Sequence, residues 1–129
     1  MLTARSSQPS FNMRLSALAV LAPLVTLAAA DSMVVWTVCT TESCSNISGT
    51  WYTAYGHYYI NGSDGCRDPP DVPGMNNICI DWAHARAHFY FDNQPKRCLT
   101  LSTYGQDPSC SNSFSTCFEG VWNEVACTW

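Results

Sequence analysis

Residues 79–91 read Cys79-Ile80-Asp81-Trp82-Ala83-His84-Ala85-Arg86-Ala87-His88-Phe89-Tyr90-Phe91, and the fold turns on whether this stretch is helix or strand. As a helix it would start at Asp81, and its alanines have high helix propensity. As a strand it alternates, with Ala83, Ala85, Ala87, Phe89 and Phe91 on one face and Trp82, His84, Arg86, His88 and Tyr90 on the other. Period two fits better than 3.6, and the aromatic end favours the extended form. The stretch is therefore read as a strand. Asp92–Lys96 (DNQPK) follows as a turn cluster, and Arg97–Thr103 returns as a second strand, which makes a hairpin.

Working outward, Met33–Cys39 (MVVWTVC) and Gly49–Ile60 (GTWYTAYGHYYI) are rich in β-branched and aromatic residues and read as strands, with Thr40–Ser48 a polar loop between them. Asn61–Asn77 is dense in Gly, Pro, Asp and Asn, and Pro69, Pro70 and Pro73 lack the donor a helix or central strand needs. Tyr104–Ser115 reads as polar loop, and Thr116–Phe118 and Val121–Trp129 as two closing strands around Glu119-Gly120. The class that results is β-rich (all-β or α+β): a small disulfide-stabilised domain built as an antiparallel sandwich or a partly open barrel.

The amino end differs in kind. Leu15–Ala30 is apolar and uncharged, Arg14 precedes it, and Ala28-Ala29-Ala30 supplies the small residues of a cleavage site. Residues 1–30 are thus read as a signal peptide, with Met13 as a possible start, and 31–129 as a single mature domain of 99 residues. The apolar run is shorter than the ~20 residues of a membrane span, so no span is expected in the mature chain.

All eight cysteines (Cys39, Cys44, Cys66, Cys79, Cys98, Cys110, Cys117 and Cys127) fall in 31–129. An even count in an exported chain implies four disulfides, whose pairing the sequence leaves open among 105 possibilities. The spacing suggests local Cys39–Cys44 and Cys110–Cys117 loops, with long-range bridges among Cys66, Cys79, Cys98 and Cys127. Only 16 of the 99 mature residues are Leu, Ile, Val or Phe, too lean an aliphatic core for a domain this small without covalent support. Five Trp and six Tyr make up part of the deficit.

The mature chain sets four basic residues (Arg67, Arg86, Lys96 and Arg97) against ten acidic ones, a net charge of −6. Phosphate backbones repel such a surface, so general nucleic-acid binding is not expected. Asn46-Ile47-Ser48 and Asn61-Gly62-Ser63 are sequons, which makes Asn46 and Asn61 candidate glycan acceptors.

His84, Arg86 and His88 are the local concentration of groups able to hold a phosphate and move protons, as a secreted ribonuclease requires. The plainer reading is a solvated strand face. Were the segment helical, Asp81, His84 and His88 would stand at zinc-binding spacing, but Ala85 takes the place of the metalloprotease glutamate, and no metal is expected. Glu119 and Glu124 are the candidate carboxylate pair for glycoside hydrolysis. No Gly-x-Ser-x-Gly elbow or phosphate loop appears, and no cofactor is expected. Trp51, Tyr52, Tyr55, Tyr58 and Tyr59 serve either as core or as a surface that stacks on sugars or anchors a protein interface.

The strings Cys79-Ile80-Asp81-Trp82, Arg86 to Asp92, Lys96-Arg97-Cys98-Leu99, and Cys117 to Trp122 with Cys127-Thr128-Trp129 resemble those of fungal small secreted cysteine-rich proteins. The resemblance implies an effector- or toxin-like factor that acts outside the cell on a host or competitor; the leading expectation is a monomer that binds a host or competitor macromolecule, protein or glycan, through an aromatic-rich β surface without enzymatic chemistry. The resemblance carries no catalytic residues with it. A ribonuclease-like enzyme using His84, Arg86 and His88, and a small carbohydrate-binding module, are the alternatives.

Overall fold

A computed structural model describes residues 30–129; the leader read in residues 1–30 lies, but for Ala30, outside the described residues. The chain forms eight strands: β1 (Ser32–Cys39), β2 (Cys44–Thr53), β3 (Gly56–Asn61), β4 (Gly65–Arg67), β5 (Met75–Asp81), β6 (Arg86–Phe91), β7 (Arg97–Gln106) and β8 (Thr116–Val125). They make one antiparallel sheet in the order β3-β2-β1-β8-β7-β6-β5-β4. Every strand therefore pairs with its neighbour in sequence except β3 with β4, and β8 closes back on β1. This is an up-and-down meander with one open seam, the partly open barrel among the expected forms.

Contacts across the interior show how strongly the sheet curls. Trp51 of β2 and Phe89 of β6 are four strands apart in sheet order, about 19 Å in a flat sheet, yet their rings meet edge-on at 4.7 Å. The curl lets a lean sequence bury a core: Met33, Val35, Trp51, Ile60, Ile78, Ile80, Ala87, Phe89, Leu99 and Trp122 are all but inaccessible. Period-two alternation puts them inward from seven of the eight strands, all but β4. Two tryptophans and a phenylalanine fill the space that aliphatic residues alone would leave empty.

The Pro/Gly-rich stretch after β3 carries the chain from one sheet edge to the other and plugs the seam. Val72 and Met75 enter the core, and Tyr58 packs against it. At the far end of the seam, Arg67 Nη1 donates to the Asn61 carbonyl at 2.9 Å, and Trp82 Nε1 donates to the Gly62 carbonyl at 2.8 Å. Gly62 is required there, because a Cβ would lie 2.6 Å from Val35 Cγ2 and 2.9 Å from the Asn46 carbonyl oxygen.

Several elements differ from the sequence expectation. Residues 79–91 are two strands, not one: β5 ends at Asp81, a 3-10 turn spans Trp82–His84, and Ala85 adopts the left-handed conformation (φ 53°) before β6 begins. Asp81 accepts the His84 main-chain N–H and caps that turn, so a helical start at Asp81 and a strand from Arg86 are both present. Gly49–Ile60 is likewise a hairpin, turned at Ala54-Tyr55 with the Thr53 hydroxyl holding the Tyr55 N–H at 3.0 Å. Residues 116–125 form one continuous strand, because Gly120 marks a close approach and no turn: a Cβ there would sit 3.2 Å from Leu101 and 3.4 Å from Trp82.

All eight cysteines are paired, as Cys39–Cys44, Cys66–Cys79, Cys98–Cys127 and Cys110–Cys117. The Cys39–Cys44 and Cys66–Cys79 bridges join directly opposed residues of neighbouring strands. Cys98–Cys127 ties the segment after β8 to β7. Cys110–Cys117 pins the loop that enters β8.

Candidate functional site at the barrel mouth

The strand registers bring the start of β1, the β2–β3 turn, the start of β7 and the ends of β6 and β8 to one end of the half-barrel. A cleft of about 1040 Å³ opens there, lined by residues including Asp31, Tyr55, Tyr58, Pro73, Phe91 and Arg97. Its rim is aromatic. Tyr55, at the tip of the β2–β3 turn, is 94% exposed, since a two-residue turn leaves no neighbour to cover it.

The cleft also holds an ion-pair triad. Arg97 grips Glu124 with both ends of its guanidinium, Nε to Oε1 at 2.8 Å and Nη2 to Oε2 at 2.6 Å. The same Nη2 lies 3.4 Å from Asp31 Oδ2. The Asp31 main-chain N–H donates to Glu124 Oε2 at 2.9 Å. Arg97 is further set by stacking over Phe89 and Phe91, with its guanidinium carbon 4.9 and 5.5 Å from the ring centres.

The two carboxyls respond in opposite directions. Burial raises the Asp31 pKa, and repulsion from Glu124 adds to it against the pull of Arg97. Desolvation pushes Glu124 up as well, but the Arg97 hydrogen bonds and the Asp31 N–H outweigh it and hold the group below its ordinary value. A carboxylate clamped bidentately by arginine and capped by a main-chain N–H is a structural anchor and a poor nucleophile.

The basic residues singled out from the sequence lie elsewhere. Arg86 and His88 project outward from β6, opposite the buried Ala87 and Phe89, while His84 sits in the 3-10 turn. His84 Nδ1 and Arg86 Nε share one carboxylate oxygen, Asp81 Oδ2, at 2.7 and 3.4 Å. Desolvation pushes Asp81 up, but the His84 hydrogen bonds and the Arg86 charge keep its carboxyl below the usual range. Arg86 also lies over the Trp129 ring at 5.7 Å, and Lys96 donates to the Trp129 main-chain oxygen. His88 meets Tyr90 edge-on at 6.0 Å, and desolvation with the nearby Lys96 and Arg86 charges lowers its pKa. These groups have partners on the outer face, and none of the three lines the mouth cleft or the shallower one around Thr103–Pro108.

Glu124 and Glu119 are not brought together: Glu124 lines the mouth, whereas Glu119 borders the shallower cleft. Asn46 lies within β2, and Asn61 ends β3 with its Oδ1 accepting the Ser63 N–H at 3.0 Å. Among the described residues no three His, Cys, Asp or Glu side chains gather as a metal site would need, and no helix is long and apolar enough to cross a membrane.

Sequence reasoning passed over Asp31 and Arg97 as site residues, because they are 66 residues apart and meet only when β8 pairs with both β1 and β7. Period two offered a signal: Arg97 alternates inward with Leu99, and Glu124 with Trp122, which marks both as charges facing a core. Comparison with family models, with curated proteins and with solved structures found no match.

Proposed function

We propose that this chain is a secreted, effector-like binding protein that acts without enzymatic chemistry and grips a host or competitor protein at the mouth of the half-barrel. The observation that carries the reading is Tyr55, 94% exposed beside a cleft that Tyr58, Phe91 and Pro73 also line. Tyrosine gives a large, rigid contact area at low entropic cost, and such residues dominate the energetics of protein interfaces. A fully exposed one above a concave apolar surface is an anchor without its pocket.

The floor of the cleft favours holding over reacting. Its carboxylates are committed to Arg97, and the imidazoles a ribonuclease would use lie on a different face. The disulfides fit the same role, since they keep a small domain folded outside the cell, where glutathione does not reduce it.

The test is a pull-down from extracellular extracts with the oxidised secreted protein as bait, beside Tyr55→Ala and Tyr58→Ala baits of equal thermal stability. A saturable protein partner captured by the wild type and lost from both variants is the expected result. Equal capture by all three baits, or no saturable partner, overturns the reading. Sedimentation with chitin, glucan or cellulose that depends on Tyr55 would replace it with the carbohydrate-binding one.

A further inference from the structure

We infer that removal of the leader at the Ala30–Asp31 bond is a structural step in maturation, because it places the new α-ammonium of Asp31 against Glu124 as the fourth charge of the mouth network. Asp31 is 7% exposed, unusual for an aspartate, and the β1 ladder begins at the very next residue. Its main-chain nitrogen already lies 2.9 Å from Glu124 Oε2. Ala30 by contrast is exposed and lines the mouth.

The chemistry balances simply. A signal peptidase adds water across the peptide bond; the hydroxyl goes to the Ala30 carbonyl carbon, and the Asp31 nitrogen leaves as an amine that takes up a proton. An α-amine has an ordinary pKa of about 7.7–8.0, and two adjacent carboxylates favour its charged form.

Before cleavage the network holds two carboxylates, Asp31 and Glu124, and one cation, Arg97. Asp31 and Glu124 repel each other, and a buried net charge is costly unless paired. Cleavage brings the cluster to two carboxylates and two cations and turns a neutral N–H donor into a charged one at the same distance. The site is position-specific: a cut one residue earlier would leave the ammonium on Ala30, one residue's reach of about 3.5 Å farther along the chain. The same cut removes Ala30 from the lining of the mouth.

The test begins with the full precursor expressed in a secreting eukaryotic host, its product read by intact mass and amino-terminal sequencing. The product is expected to start at Asp31; a product starting at any other residue overturns the proposal. A precursor with Gly-Ser inserted between Ala30 and Asp31 then keeps the Asp31 N–H but moves the charge away. The insertion is expected to lower Tm by about 4–8 °C, the shift that ~1 kcal/mol makes in a domain this size, and to have little effect on Tm in a Glu124→Gln background. An insertion with no effect, or with the same effect in both backgrounds, refutes it. If Glu124→Gln is not secreted folded, NMR titration of the reductively ¹³C-methylated terminal amine decides: a pKa about one unit higher in the wild type than in the insertion variant supports the pairing, and equal values exclude it.

Discussion

Replacing Arg97 with methionine would remove the guanidinium from the mouth while leaving most of the apolar stem to pack on Phe89 and Phe91. Two carboxyls would remain, with Asp31 and Glu124 side chains only 9% and 20% exposed. Breaking a fully buried charge pair by removing one partner costs about 3–5 kcal/mol. Arg97 is 24% exposed, so partial hydration reduces this to about 2–3 kcal/mol at neutral pH, a fall in Tm of about 10–20 °C. The pH dependence supplies the signature. In the wild type the lowered Glu124 pKa contributes stability that is present above its unfolded value of about 4.3 and is lost as pH falls below it. The raised Asp31 pKa works the other way: its penalty at neutral pH is relieved as the group protonates on acidification. Loss of Arg97 moves both folded pKa values up from those of the wild type, so the deficit of Arg97→Met should shrink between about pH 7 and pH 4 as both carboxyls protonate. Urea denaturation under oxidising conditions at the two pH values measures this. A deficit under about 0.5 kcal/mol at neutral pH, or one of equal size at both pH values, would refute the reasoning.

Gly62→Ala, which leaves the Asn61 sequon intact, should cost about 1–3 kcal/mol in urea denaturation, because the new methyl group meets Val35 and the Asn46 carbonyl at the seam. Ala85→Gly should stabilise by about 0.5–1 kcal/mol, the left-handed strain relieved less the added chain entropy, in the same assay. Paired Cys→Ala removals should rank by loop length: about 3.6 kcal/mol for Cys98–Cys127, which spans 29 residues, and about 2 kcal/mol for Cys39–Cys44, which spans 5. An inverted order in thermal unfolding would show that packing outweighs loop entropy here.

What could be read in advance divides along a physical line. Period-two alternation is a local property, so Ala87 and Phe89 against Arg86 and His88 was legible, as was β1 almost to the residue. The Asp92–Lys96 turn between β6 and β7 was legible too, but two other reversals were not, because they use neither Asn-Gly nor a proline turn. Ala54-Tyr55 turns on a threonine hydroxyl, and the Trp82–His84 turn on an aspartate cap followed by a left-handed alanine. Gly120 looked like punctuation because a glycine kept for close packing is the same letter as one kept for a turn. The Asp31–Arg97–Glu124 cluster depends on long-range closure of β8 between β1 and β7, which no window of sequence contains. The histidine cluster stood out for the opposite reason: its members are neighbours in sequence, and folding gave them Asp81 and the outer face instead of a cleft.

The choice between the two surfaces is made most directly by hydrogen–deuterium exchange of the oxidised secreted protein with and without its captured partner. Exchange should slow at Thr53–Tyr58 and around Gln94, the rim of the mouth. Slowing confined to Arg86–Tyr90 on the outer face of β6, with the mouth unchanged, would contradict a binding site at the open end of the half-barrel.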